Sequence, residues 1–224
     1  TPVVAPLPGS SAAEPVVAPP MNDARAEVAR RVETGETLAG MSLEGVDLSN
    51  LDLSNCNLSG ARLKGASLRS AKLAAVDLSS AQLDGADLAH AKLDGANLER
   101  ASLRSAILSD ASLRGAKLTD ADFEGAIGTS ATFDDVTGDR VRFVGGRFDC
   151  ARFDRAALEA ADFSEAIVDG AMEGHGAVVS VVGSPGIGKS RLVREATALA
   201  AAVWTGAVAG MVLKIGWPGR FDRL

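Results

Sequence analysis

The residues with the plainest chemistry are Gly183–Ser184–Pro185–Gly186–Ile187–Gly188–Lys189–Ser190, which fit the pattern G-x-x-x-x-G-K-[ST]. Gly183, Gly186 and Gly188 would let backbone N–H groups wrap a phosphate at the start of a helix. Lys189 would reach the outer phosphates of ATP or GTP, and Ser190 would hold the accompanying Mg²⁺. The flanks suit such a loop: an apolar run, Ala177 to Val182, precedes it, and Arg191 to Val203 reads as a helix. Hydrolysis needs a further carboxylate on the metal. After the candidate strand at Met211–Ile215 the chain runs Gly216–Trp217–Pro218, with no such residue. The expectation is a nucleotide site at most, with no cofactor required and no enzymatic activity.

Other residue types offer less. His90 and His175 have no neighbour at ligand spacing, and Cys56 and Cys150 match no zinc pattern. Two isolated thiols suit a reducing compartment. No apolar run is long enough to span a bilayer, and no secretory signal is visible, so a cytoplasmic location without membrane contact is expected. The net charge of −6 gives no reason to expect direct nucleic-acid binding.

Before the motif, the chain is organised by a repeat. Residues 1–21 form a Pro- and Ala-rich leader, expected to be disordered. In 22–40, Asn22 or Asp23 can start a short helix that Gly35 ends, and this helix should lie over whatever follows. From Met41 to Gly170 the sequence advances in fives: a small residue, a polar one, Leu or Phe, then two variable positions, the last often Gly or Ser. The central position departs from Leu or Phe only at Gly128, Gly138 and Val168. A period of five fits neither a helix nor an alternating strand, so it indicates a solenoid. Residues 171–224 form a linker and the incomplete phosphate-loop segment.

Units such as Ala86–Asp87–Leu88 and Ala96–Asn97–Leu98 resemble the pentapeptide-repeat family. The resemblance implies an all-β solenoid, a right-handed quadrilateral β-helix with the small and central residues inward, here with a short N-terminal capping helix and a C-terminal strand–loop–helix appendage. The stretch around Lys189 resembles the Walker A region of actinobacterial regulatory ATPases.

Four sides to a coil would stack residues twenty apart, and Glu44, Lys64, Asp84, Arg104 and Glu124 then alternate in sign. The same stacking places Phe123, Gly128, Phe133 and Gly138 in one coil, where the two Phe rings should fill the space the two glycines leave. It also aligns Ile107, Ile127 and Ile167 on one face, at a nominally outward position. Either Ile127 turns inward to replace Gly128, or the three form an apolar strip for self-association into a homodimer or for a protein partner.

Some family members mimic duplex DNA and bind DNA gyrase. Mimicry needs an unbroken acidic stripe, and between Met41 and Gly170 the 21 acidic residues are interrupted by 14 basic ones, a net −7. The expected function is therefore a non-enzymatic binding or scaffold protein that presents a rigid β-helix to a macromolecule. A nucleotide-responsive regulator, or a piece of a phosphate-loop ATPase, is one alternative. A gyrase inhibitor that mimics DNA is the other.

Overall fold

The computed structural model describes residues 21–168 and the backbone of two strands, 178–182 and 212–216. The described residues open with helix α1 (Met21–Thr34) and then wind into a β-helix. Parallel bridges join Ser42 to Arg62, Asp47 to Ser67, Asp52 to Lys72 and Asn57 to Asp77, and the same step of twenty residues recurs down the coil. Four five-residue sides therefore close each turn.

Each side is too short for a continuous strand. It carries one bridging residue, and a turn occupies the fourth and fifth positions of the unit. The unit starting at Ala81 shows how the backbone is satisfied. Gln82 N–H donates to Ala61 O, while Leu83 and Gly85 donate to Ser102 O and Arg104 O in the next coil. Ala86 N–H then closes the corner on Leu83 O. Alternation along the side sends the first and third side chains inward. Leu83, Leu88, Leu93 and Leu98 are accordingly fully buried, as are Ala86 and Ala96.

The corner sets a second condition. The fifth residue of every unit from Gly45 to Glu165 has a positive φ, for example +66° at Gly85 and +54° at Ala75. Only Gly takes this conformation without cost, and other residues there are strained by roughly 1 kcal/mol. The bias toward Gly, Asn, Asp and Ser at this position follows from that cost. Arg100, Arg140 and Arg155 are tolerated there nonetheless.

At the upper end, α1 stops at Gly35 (φ +69°), where Gly35 and Glu36 N–H donate back to Val32 O and Arg31 O. The helix runs through Asn22 and Asp23, so neither is its first residue. Val28 is fully buried in the same core as the coil leucines. Arg25 donates to Asp47 O at 2.7 Å and Ser49 O at 2.9 Å. Lower in the coil, carbonyls at those two positions of a unit accept from backbone N–H groups of the coil above. The guanidinium supplies the two donors that a missing coil would have given.

The lower half exchanges its Leu core for Phe. Phe123 stacks on Phe143 and Phe143 on Phe163, at 5.1 and 4.5 Å between ring centres, and Phe133 stacks on Phe153 at 4.8 Å. Phe123 and Phe133 do meet edge to face at 5.9 Å, but they do not fill both glycine gaps. Phe148, one coil below Gly128, occupies the first. A Cβ added at Gly128 would lie 2.6 Å from its ring, and one at Gly146 would lie 2.5 Å from the ring's other edge. At Gly138 the backbone itself closes in, for a Cβ there would stand 2.9 Å from the Leu118 carbonyl carbon. That side runs as a true strand, β1 (Thr137–Asp139), paired in parallel with β2 (Ala157–Ala161).

Two further parallel strands continue this sheet, β3 (Val178–Val182) against β2 and β4 (Val212–Gly216) against β3. Ala157 pairs with Val178, a step of twenty-one rather than twenty, so the strict repeat has ended by this point.

Gly128→Ala should destabilise the protein by about 1–3 kcal/mol through overpacking against Phe148. In a denaturation double-mutant cycle, Gly128→Ala should cost distinctly less when Phe148 is already Ala. Additive costs would show that Phe148 does not fill the Gly128 gap.

Candidate functional site

With the first and third residues of each unit consumed by the core, the coil can meet a partner only through the second, fourth and fifth. The described surface is therefore four ladders of outward side chains on a fixed lattice. Its polar residues are largely engaged with the coil itself. The carboxylate or amide oxygen of Asp47, Asp52, Asn57, Asp77, Asp87 and Asp162 accepts the N–H two residues on, tying down the corner. The Ser49 hydroxyl also helps hold the Asp47 carboxyl below its ordinary range, and the Ser54 hydroxyl does the same for Asp52.

Charges pair between coils, although the expected vertical ladder is only partly realised. Arg104 approaches Glu124 at 3.9 Å, but Glu44 lies 3.5 Å from Arg62 on the diagonal, and Asp84 accepts the Ser102 hydroxyl at 2.6 Å. The long arginines reach diagonal partners as readily as stacked ones. Arg104 and Arg142 both lie 2.8 Å from Asp122, and Arg142 also reaches Glu124 at 3.0 Å.

Arg140 grips Asp120 at 2.7 Å and Arg155 grips Asp135 at 2.6 Å, each with two donors on two oxygens. These hydrogen bonds hold both carboxyls below the usual range. Asp134, though 3% exposed, is held by Arg152 at 3.1 Å, with Arg114 at 3.7 Å. Its other contact is the Asp154 N–H, which donates to it at 3.1 Å. Nothing in the sequence singles out this buried carboxylate except the arginines around it. An acidic stripe through these paired carboxylates is interrupted by their arginines, whereas the stacked Asp139 and Glu159 have no arginine partner among the described residues.

One place breaks the polar pattern. Ile107 and Ile127 bridge directly, one above the other, and Arg147 and Ile167 continue the same column. All three isoleucines are exposed, at 37–38%. Ile127 therefore does not turn inward. Phe148 already fills the space at Gly128, which leaves Ile127 its ordinary outward position. The neighbouring outward positions on these two coils, Ser109, Thr129 and Ser130, are uncharged, with Asp110 at one edge.

The remaining candidates divide. Gly183, Gly186, Gly188, Lys189 and Ser190 lie outside the described residues. His90 sits 3.8 Å from Asp110, Cys150 is exposed, and Cys56 is part-buried, which pushes its thiol up. Among the described residues no group of His, Cys, Asp and Glu is arranged to hold a metal, and no helix is long and apolar enough to cross a membrane.

Residues 42–80, 81–120 and 106–137 match the family model of pentapeptide repeats. Residues 42–137 of this chain are thus similar to the pentapeptide-repeat family. The match agrees with the β-helix solenoid that the parallel bridges form. Among solved structures, the pentapeptide repeat is similar to that of a protein from the Arabidopsis thaliana thylakoid lumen, with 32% identity over 46% of this chain and 68% of that one, TM-score 0.21. It is also similar to HetL, a pentapeptide repeat protein involved in heterocyst differentiation regulation from the cyanobacterium Nostoc, with 24% identity over 63% and 68% of the two chains, TM-score 0.35. A third is QnrB1, a plasmid-mediated fluoroquinolone resistance protein, with 17% identity over 80% and 84%, TM-score 0.43. No curated protein sequence matches the chain.

The depressed carboxyls set a pH dependence. Because Asp47, Asp52, Asp120 and Asp135 titrate lower in the folded coil, their stabilisation is complete above the ordinary carboxylate range near ~4. It is lost as pH falls through their lower folded values. Thermal melts should be flat from neutral pH down to that range and fall below it, with a smaller fall in high salt. Melting that rises on acidification would contradict these pairings.

Proposed function

We propose that this chain is a non-enzymatic binding or scaffold protein that holds a protein partner against the face carrying Ile107 and Ile127. One observation supports the reading most directly: two bulky apolar side chains stacked twenty residues apart and exposed on an otherwise charged or polar coil. Exposed apolar groups on a rigid backbone lose little conformational entropy on docking, and they are the residues whose removal from water drives association. α1 would serve as the cap of the coil's upper end, with Arg25 closing the open backbone edge.

The DNA-mimic reading, in which gyrase is the partner, needs free acidic groups, and the pairing of Asp120, Asp122, Glu124, Asp134 and Asp135 with arginines weighs against it. Nucleotide binding at Gly183–Ser190 is a separate proposal. It rests on the motif and on β3 ending at Val182, immediately before Gly183. Calorimetric titration with ATP, compared with Lys189→Ala, tests it.

Affinity capture from a bacterial lysate tests the main reading. The immobilised wild-type chain should retain a partner that Ile127→Arg loses at least ~10-fold, since a charge would be driven into the apolar centre. Lys92→Glu, on a different face, should retain it, and both variants should melt like wild type. Equal capture by Ile127→Arg would show that the isoleucine face is not the binding surface, and inhibition of gyrase supercoiling by both variants would favour the mimic.

A further inference from the structure

We infer that a second copy of this chain docks on the isoleucine face, antiparallel to the first, with the two-fold axis passing between the coils of Ile107 and Ile127. The inference rests on that face being the binding surface and names what it binds. When two coils lie face to face with their axes reversed, each outward column meets itself in inverted order. The column reads Ser67, Asp87, Ile107, Ile127, Arg147, Ile167 at one coil per step. Placing the axis between Ile107 and Ile127 sets each against the other isoleucine of the second copy, so four isoleucines gather at the centre. The next step outward sets Asp87 opposite Arg147 on both sides, opposite charges framing the apolar centre.

The adjoining columns agree. Ser109 meets Thr129 of the second copy, Asp110 meets Ser130, and His90 meets Cys150, with no like charges opposed.

Other registers are worse on the same residues. An axis through Ile127 puts Ile107 against Arg147 and Asp87 against Ile167. An axis through Arg147 sets the two arginines against each other. Arg147 can make the exchange, since its side chain is 62% exposed and, among the described residues, is held by Asp149 alone at 3.3 Å. Asp87 is 30% exposed and would share itself with Arg69, now 3.1 Å away. The opposed charges select the register, while the isoleucines supply the attraction. One face of so narrow a coil buries less than the roughly 800 Å² per partner of a standard interface, so the association is weak and rises with concentration.

A cysteine pair tests the register. In the full chain, His90→Cys would face the native Cys150 of the second copy. With diamide as oxidant at about 50 µM protein, it should form a disulfide dimer roughly ten-fold more than wild type. Adding Cys150→Ser or Ile127→Arg should abolish the crosslink. Asp87→Arg should weaken it, and Asp87→Arg with Arg147→Asp should restore it, because the swapped charges face each other again. Circular dichroism and melting of each variant establish that it is folded. A folded His90→Cys variant that crosslinks no more than wild type, or crosslinks without Cys150, overturns the inference. If capture of a different lysate protein still depends on Ile127 in that case, the binding reading stands and only self-association falls. If neither depends on Ile127, both fall.

Discussion

The structure depends on one constraint, the closure of the backbone every twenty residues. Each side can present one bridging residue and a tight turn, and four such sides return the chain to a place where its N–H and C=O groups meet those of the previous coil. Closure demands a left-handed residue at every corner and a small residue with a Leu or Phe pointing in. These requirements exhaust the first, third and fifth positions of the unit. What remains, the second and fourth residues with whatever side chain the corner tolerates, is free to vary without disturbing the coil. Function on such a scaffold is a matter of surface pattern.

The core and the surface nevertheless communicate at one place. Glycine at 128 and 146 makes room for Phe148, and that ring keeps Ile127 from turning inward. The change from a Leu core to a Phe core therefore bears directly on the candidate binding face. Where the core has no such surplus, as at Gly138, the backbone moves in instead and the side becomes a strand.

Most of the coil is legible in the sequence, because a solenoid writes its packing as a strict period. Leu88 and Ala86 declare their direction by spacing alone, and Gly35 declares the end of α1. What escapes is what side-chain reach decides. Arg25 satisfies carbonyls more than twenty residues away, and no local signal marks it. The sign alternation at Glu44 and Lys64 identifies the correct register, yet Glu44 pairs with Arg62, because a guanidinium on a long stem reaches the diagonal. The left-handed corner is only half visible, since Ala75 and Arg155 accept a strain that Gly85 avoids. The candidate face is half legible for a similar reason: spacing aligns Ile107 and Ile127 but carries no sign of what fills the space behind Gly128.

The closure of the coil can be measured directly by amide hydrogen exchange followed by NMR. Through the interior coils the first, second, third and fifth N–H groups of a unit are bonded within or between coils, as at Ala81, Gln82, Leu83 and Gly85. The fourth N–H is bonded mainly where Asp or Asn at the second position reaches it, as at Ser79. Protection should recur with a period of five, broken by fast exchange at fourth positions such as Asp84 and Arg104. Protection in long unbroken runs, or in a pattern without that period, would contradict that closure.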